Sequence, residues 1–504
     1  MAKGAAWMTT FKIVDRCTAV VSTSILARLL VPEDFGLVAL ATSMIAVLEV
    51  LGAFGLETAL VQRADASREH FDSVWTFNLL FGLGLGVIVI ALARPIAFFY
   101  RDPRFFSVLL VLGLRQAIQG FENVGIVAFR KELRFDKEFK FLVTKRLATT
   151  VLVTLPLAYF LRNYWALLGG SLAGTCISVV VSYAIHPFRP RFSLTGLHPL
   201  MTFSKWLFLT SVVELFYSRS ASLIVGRWAG TGALGSLSMA RDISSMASRE
   251  LAAPVNRAVF PGYSKLEGDR AMLRGKFLKV TSILLLLIMP AGIGLCLLAE
   301  PIVLLVLGKK WSQTVPLIQL LAINGVLTVF LSAAHHLNLA VGMARSTSLV
   351  LASHAGMTIP LMLWLVPKFG SYGAVVAMLT ASIVTAPLNV VLLGRAIQFG
   401  VREIVDIIWC PLASSLVMSV VVLSIRLYWE IPLTIAGRVA YITAASGIGA
   451  LVYAVCVFLL SRWQANPDSA EAWIWKQVTN SLNDAFARTR VSYRSMPSAK
   501  TLHK

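Results

Sequence analysis

Long apolar blocks recur along the whole chain, each about as long as the ~20 residues a helix needs to cross a bilayer. Short breaks carrying charge, proline or glycine separate them. Of 504 residues, 57% are hydrophobic and 14% are charged. Soluble domains carry roughly 25% charged residues, so this chain lacks the polar groups to coat a water-soluble globule. A soluble enzyme, a disordered chain and a disulfide scaffold are excluded. An outer-membrane barrel is disfavoured, because barrel strands alternate and give only a weak apolar signal. The expected fold is an all-α polytopic membrane protein.

Reading the apolar runs between breaks predicts fourteen transmembrane helices. They fall near residues 7–30, 35–60, 73–98, 105–129, 139–161, 164–186, 203–226, 233–260, 277–306, 314–341, 347–366, 371–394, 404–427 and 438–461. Lys12, Asp15 and Arg16 interrupt the first run, and no small-residue cleavage site follows it, so it reads as a span rather than a cleaved leader. With an even number of spans both termini share a side. Placing them in the cytoplasm puts sixteen Lys and Arg on inside loops and the N-terminus, against eight outside when Arg426 at the outer end of its span is included, the bias that cytoplasmic loops carry. The net charge of +21 is read the same way, and not as a nucleic-acid surface. The five cysteines lie far apart in apolar stretches and read as packing residues.

The chain repeats itself after about two hundred residues. Ala27-Arg28 before Phe35-Gly36 matches Gly226-Arg227 before Leu234-Gly235 at an offset of 199, and Asp15 meets Glu214 at that same offset. Leu92-Ala93-Arg94-Pro95-Ile96 resembles Leu298-Ala299-Glu300-Pro301-Ile302. The expected organisation is therefore two six-helix parallel repeats, an N-terminal lobe over 1–200 and a C-terminal lobe over 201–400. Two extra helices follow over 401–461, and a basic cytoplasmic tail over 462–504 carries Trp463, Trp473 and Trp475 near its start. Repeats of one orientation around a midplane site are a transporter architecture.

Charges within the spans carry the functional reading. A charge at the bilayer centre costs about 2.5–3.5 kcal/mol on insertion scales and needs a polar setting. At 100° per residue, Asp15 and Arg16 share a broad face of the first span, and Arg115, Gln119 and Glu122 share one in the fourth. Glu214 lines up with Ser218 in the seventh, with Arg219 on its flank. Arg241, Asp242 and Arg249 do the same in the eighth. Such faces line either a water-filled path for an anionic cargo, for which arginine suits phosphate, or a set of structural ion pairs. The cavity candidates are Arg16, Arg115, Arg219, Arg241 and Arg249. Asp15, Glu49, Glu214 and Asp242 are candidates for orienting them or coupling an ion. Lys140, Lys145 and Arg146 are expected to snorkel at the end of their span.

Other features point away from chemistry. Gly82, Gly84 and Gly86 sit inside an apolar span with no preceding strand, so they read as helix-packing glycines. His335-His336 have no carboxylate or cysteine companions, so no metal and no cofactor is expected. No inter-span gap is long enough for a nucleotide-binding or catalytic domain, and the chain is not expected to be an enzyme.

The run Leu26-Ala27-Arg28-Leu29-Leu30-Val31-Pro32-Glu33-Asp34-Phe35-Gly36 resembles the amino-terminal signature of the polysaccharide-transporter family, the Wzx-type flippases of lipopolysaccharide and exopolysaccharide assembly in the MATE-like superfamily. Gly55-Leu56 through Gln62, Lys131-Glu132-Leu133-Arg134-Phe135, Ile224-Val225-Gly226-Arg227 and Phe260-Pro261 continue the resemblance over roughly residues 1 to 400. Family members often carry an acidic residue shortly before the Gly-Arg pair, where this chain has Ala221-Ser222, so no coupling role is carried over to that position. The resemblance implies translocation of undecaprenyl-diphosphate-linked oligosaccharide across the bacterial inner membrane. Its implied partners are the lipid-linked cargo, membrane lipids, a coupling cation or proton, and polysaccharide assembly machinery. Two rivals stand beside it: an ion-coupled drug or metabolite antiporter, which would want an acidic cavity, and a membrane polysaccharide polymerase, which would want a large loop or catalytic domain.

Overall fold

The structure is a computed structural model that describes the chain apart from residues 1, 53–55, 64, 197–214, 216, 249, 254, 256–258, 260–262, 264–268, 341–343, 399 and 465–504. Among the described residues it is helical with no strand. The helices are α1 (Ala2–Leu29), α2 (Pro32–Glu49), α3 (Leu56–Gln62), α4 (Arg68–Tyr100), α5 (Arg104–Gln119), α6 (Ile126–Lys131), α7 (Phe135–Leu161), α8 (Trp165–Ile185), α9 (Gly230–Ala247), α10 (Arg270–Leu297), α11 (Ala299–Val306), α12 (Thr314–Ala340), α13 (Ala344–Ile397), α14 (Val401–Tyr428) and α15 (Ile435–Gln464). Residues 217–228 are helical as well.

Eight of these helices are long and apolar enough to cross a bilayer, among the described residues. One of them, within α13, holds both spans expected over 347–394. Its helical backbone breaks at Gly370, at φ 58° and ψ −139°, a conformation open to glycine because it has no Cβ. Helix α4 shows why these are lipid-facing rods. Leu79, Leu85, Val89 and Ala93 are buried on one side, while Leu80, Val87, Ile88 and Ile90 are exposed on the other. Both sides are apolar, and only hydrocarbon accepts the second. The chain is a multi-pass membrane protein.

Two expected spans are broken instead of continuous. The second stops at Glu49, passes through a 3₁₀ turn over Val50–Gly52, and resumes as α3. The fourth stops at Gln119 and turns over 120–125 before α6 begins. Non-helical backbone at membrane depth persists only where protein buries it or water reaches it.

The chain forms two compact units. The first holds residues 1–242, 302–318 and 355–380. Within it α4 and α5 lie close because glycines face backbone: a Cβ on Gly82 would sit 2.8 Å from Gln116 O, and one on Gly86 2.7 Å from Gly113 O. Gly84 opens onto space. A buried cluster of Leu56, Leu60, Val74, Trp75, Leu79, Val124 and Val127 holds α3 and the 124–127 segment against α4.

The second unit holds residues 243–301, 319–354 and 381–504. Its core is a helical-spacing stripe of Leu273, Phe277, Leu284 and Ile288 on α10, packed with Val329, Ala333 and Leu337 of α12 and with Leu393, Ile397 and Ile404. Arg274 pairs with Glu403, and Arg426 with Glu300.

Candidate functional site

Inside the first unit lies a cavity of about 590 Å³. Each wall is one face of a helix, recognisable by spacings of three, four and seven. Helix α1 contributes Phe11 and Asp15; α2 contributes Val38, Thr42, Ile45 and Glu49; α5 contributes Leu112, Arg115 and Gln119, with Glu122 just beyond. Helix α7 adds Leu142, Lys145, Arg146 and Thr149, α8 adds Ser171, Thr175 and Ser178, and Arg219 closes the wall. Thr149 belongs to a π-helical stretch, Ala148–Thr154, inside α7. Such stretches are rare and concentrate at functional sites.

Four basic groups, Arg115, Lys145, Arg146 and Arg219, face three acidic ones, Asp15, Glu49 and Glu122. Arg146 Nε lies 2.9 Å from Asp15 Oδ1, a charge contact without hydrogen-bond alignment. Lys145 Nζ lies 3.8 Å from Glu122 Oε2. Gln116 Nε2 donates to Glu49 Oε1 at 2.7 Å, and Arg115 donates to Gln116 Oε1 at 3.1 Å. Among the described residues, Arg115 and Arg219 make no ion pair with a carboxylate. What is left for a ligand is two guanidiniums against one carboxylate, Glu49, which is held by neutral Gln116; the balance is positive, and a guanidinium fork is the geometry that grips phosphate oxygens.

The structure gathers Asp15, Glu49, Arg115 and Arg219 around one cavity. Arg16, half-buried on α1, does not line this cavity, and neither do Arg241 and Asp242 of α9. Glu214 and Arg249 lie outside the described residues, as do the tail from residue 465 and the side chains of His335 and His336. Of the three basic groups at the end of that span, Lys145 and Arg146 each face a carboxylate across the cavity, while Lys140 does not line it. Applying the spacing rule to 142–149 and 171–178 would have shown these groups on one face.

The signature run has a physical role at the other end of the same unit. Val31 N–H, which would continue the α1 ladder to Ala27 O, donates instead to Asp34 Oδ2 at 3.2 Å. Trp311 Nε1 takes over, donating to Ala27 O at 2.8 Å. In return α1 caps the end of α11, with Ser24 Oγ donating to Val306 O at 2.7 Å and Arg28 donating to Leu305 O. Helix α1 and the turn over Lys309–Trp311 that follows α11 thus satisfy carbonyls that the last turns of α11 and α1 leave unpaired. Asp34 Oδ1 also accepts from Tyr164 N at 3.1 Å, beside the start of α8. Gly36 and Gly235, which the repeat pairs, meet each other: a Cβ on Gly36 would overlap the Thr231 carbonyl, and one on Gly235 the Pro32 carbonyl.

Fold and cavity together define a polytopic helical membrane protein with a cationic, polar chamber among its helices. The family described as polysaccharide biosynthesis protein matches residues 25–316, more than half of the chain, and the chain belongs to that family. It is 24% identical over 332 residues to the lipopolysaccharide biosynthesis protein WzxC of Escherichia coli (strain K12), covering 64% of this chain and 66% of that one. It is 27% identical over 312 residues to the succinoglycan biosynthesis transport protein ExoT of Rhizobium meliloti (strain 1021), covering 61% and 63%. The matches thus span just under two thirds of those relatives' lengths. Among solved structures, the fold is similar to the lipid II flippase MurJ in an inward closed conformation, with TM-score 0.69 at 14% identity, over 92% of this chain and 100% of that one. An inward-facing multidrug resistance MATE transporter follows, with TM-score 0.60 at 16% identity, over 76% of this chain and 94% of that one.

Proposed function

We propose that this protein flips an undecaprenyl-diphosphate-linked oligosaccharide from the cytoplasmic to the periplasmic leaflet of the bacterial inner membrane, for polysaccharide assembly. The observation that carries the reading is the cavity in which Arg115 and Arg219 stand without a carboxylate partner among the described residues. Two guanidiniums without a direct carboxylate partner, in a chamber between spanning helices whose charge balance is positive even with Glu49 counted, match a diphosphate. The family and the names of the relatives support a polysaccharide cargo. Both termini are assigned to the cytoplasm by the loop charge bias, with six-helix lobes over 1–200 and 201–400 giving alternating access. Asp15, paired with Arg146, and Glu49, bonded to Gln116, are the carboxylates placed to take a coupling proton or cation. Arg16, Arg241, Arg249, Glu214 and Asp242 remain proposed cavity or orienting residues of other faces.

The test is a strain lacking this gene. Diphosphate-linked oligosaccharide accumulates on the cytoplasmic side and secreted polymer falls; expression of the chain restores both, and an Arg115→Ala variant does not. Lipid-linked units found outside but unpolymerised overturn the flippase reading in favour of a polymerase. The carboxylates of the same wall favour one further reading, an exporter of cationic metabolites, which predicts drug sensitivity in that strain with no lipid-linked intermediate.

A further inference from the structure

A second cavity of about 480 Å³ adjoins the first and shares with it Glu49, Gln119, Glu122, Leu142 and Lys145. It lies where the two broken spans meet. The ends of α2 and α5, the start of α3, the 120–125 turn and the start of α6 all border it. Interrupted spanning helices mark binding sites, because their freed backbone groups need polar company. Its volume falls in the range of roughly 300–1,000 Å³ of small-molecule pockets.

The chemistry of its wall differs from that of its neighbour. Three acidic groups, Glu49, Glu57 and Glu122, face two basic ones, Arg130 and Lys145. Both bases are engaged, Arg130 with Glu138 at 2.5 Å and Lys145 with Glu122. A phosphate would find no available cation there. Asn78 and Gln119 line the cavity, and their side-chain amides make no hydrogen bond to another described residue. An amide donates and accepts, and a carboxylate accepts, which is what sugar hydroxyls, themselves donors and acceptors, require. Phe81 adds an aromatic ring whose electron-rich face attracts C–H edges, as the underside of a pyranose presents.

We infer that this cavity is a glycan subsite, which seats the first sugars of the cargo while Arg115 and Arg219 hold the adjoining diphosphate. The inference rests on the proposed flippase function and divides its headgroup between two chambers of opposite charge balance. The lining residues common to both cavities put them side by side, as the two parts of one ligand joined by a glycosidic phosphate bond require.

The test uses the full chain in nanodiscs and two probes, undecaprenyl diphosphate and undecaprenyl diphosphate bearing one glucose. The wild type binds the glucosylated carrier about tenfold tighter, the gain that one or two net hydrogen bonds give. An Asn78→Ala/Glu57→Ala double variant binds both carriers alike, at the wild-type affinity for the bare one, which also shows that it is folded. Should the double variant fail to fold, Asn78→Ala alone loses about threefold of the preference, the share of one weaker bond. Equal binding of both carriers by the wild type, or a tenfold preference that survives the substitutions, overturns the subsite. Failure of the wild type to bind either carrier overturns the flippase reading itself, and Arg115→Ala, which weakens both probes equally, separates the two failures.

Discussion

Trp311 is expected to be the most stability-critical side chain of the signature region. It is 0% exposed, its ring stands edge-on to Phe35 with centroids 5.3 Å apart at 76°, and its Nε1 donates to Ala27 O. Removing a buried Trp down to Ala costs about 3–5 kcal/mol. The unpaired Ala27 carbonyl left behind adds about 1–3 kcal/mol where water cannot reach it. In a unit of this size each kcal/mol moves the melting midpoint by roughly 2–4 °C, so Trp311→Ala should lower it by on the order of ten degrees. Trp311→Phe keeps most of the burial and loses only the hydrogen bond, so its loss should be about a third as large. Thermal midpoints from size-exclusion profiles of detergent-solubilised protein measure both. A Trp311→Ala midpoint within about 2 °C of the wild type, a shift expected of a surface change, would refute the reasoning that this ring holds α1 against the turn that follows α11. So would Trp311→Phe melting as low as Trp311→Ala.

Three further outcomes are expected. Gly36→Ala and Gly235→Ala each drive a methyl into backbone that no rotamer change can move, so both should express poorly, while Gly84→Ala, which meets open space, should be neutral or slightly stabilising by helix propensity; membrane-fraction yields of the three compare them directly. Arg146→Ala leaves Asp15 facing the cavity without its partner, and adding Asp15→Asn should recover part of the loss because the isolated charge, not the missing pair, is the costly element; strictly additive midpoints would disprove the coupling. Asp102, in the turn between α4 and α5, is pushed up by burial but pulled down further by hydrogen bonds from the Arg104 guanidinium and backbone, and its carboxyl ends below the usual range. A depressed carboxyl contributes stability above its unfolded value and loses it as pH falls through the folded one, so the midpoint deficit of Asp102→Asn should be present at neutral pH and shrink below about pH 4.

Much of the candidate site was legible as periodicity. Arg115, Gln119 and Glu122 could be placed on one face from spacing alone, and they do line one wall. The partners of Lys145 and Arg146 are not legible in the sequence, because a charge close to a span's end can reach headgroups or a cavity, and only tertiary packing brings Asp15 and Glu122 across the gap to meet them. The breaks after Glu49 and Gln119 left no strong trace either. The residues that follow, such as Val50, Leu51 and Phe121, are apolar enough to continue a helix, and hydropathy does not register where the backbone turns.

Composition and block length determined that the chain crosses a membrane as helices, since burying that much apolar surface without a polar coat has only one solvent. The motif in residues 26–36 likewise pointed to the family before any coordinates. Tertiary structure decided which charges keep company. Helical spacing gives the direction of a side chain around its own axis, but ion pairing depends on distances of a few ångströms between helices far apart in sequence. Those distances are set by glycines such as Gly82, Gly86, Gly36 and Gly235, which let backbones touch. Two arginines without a carboxylate partner, and a sugar-sized chamber beside them, exist only at that level of packing.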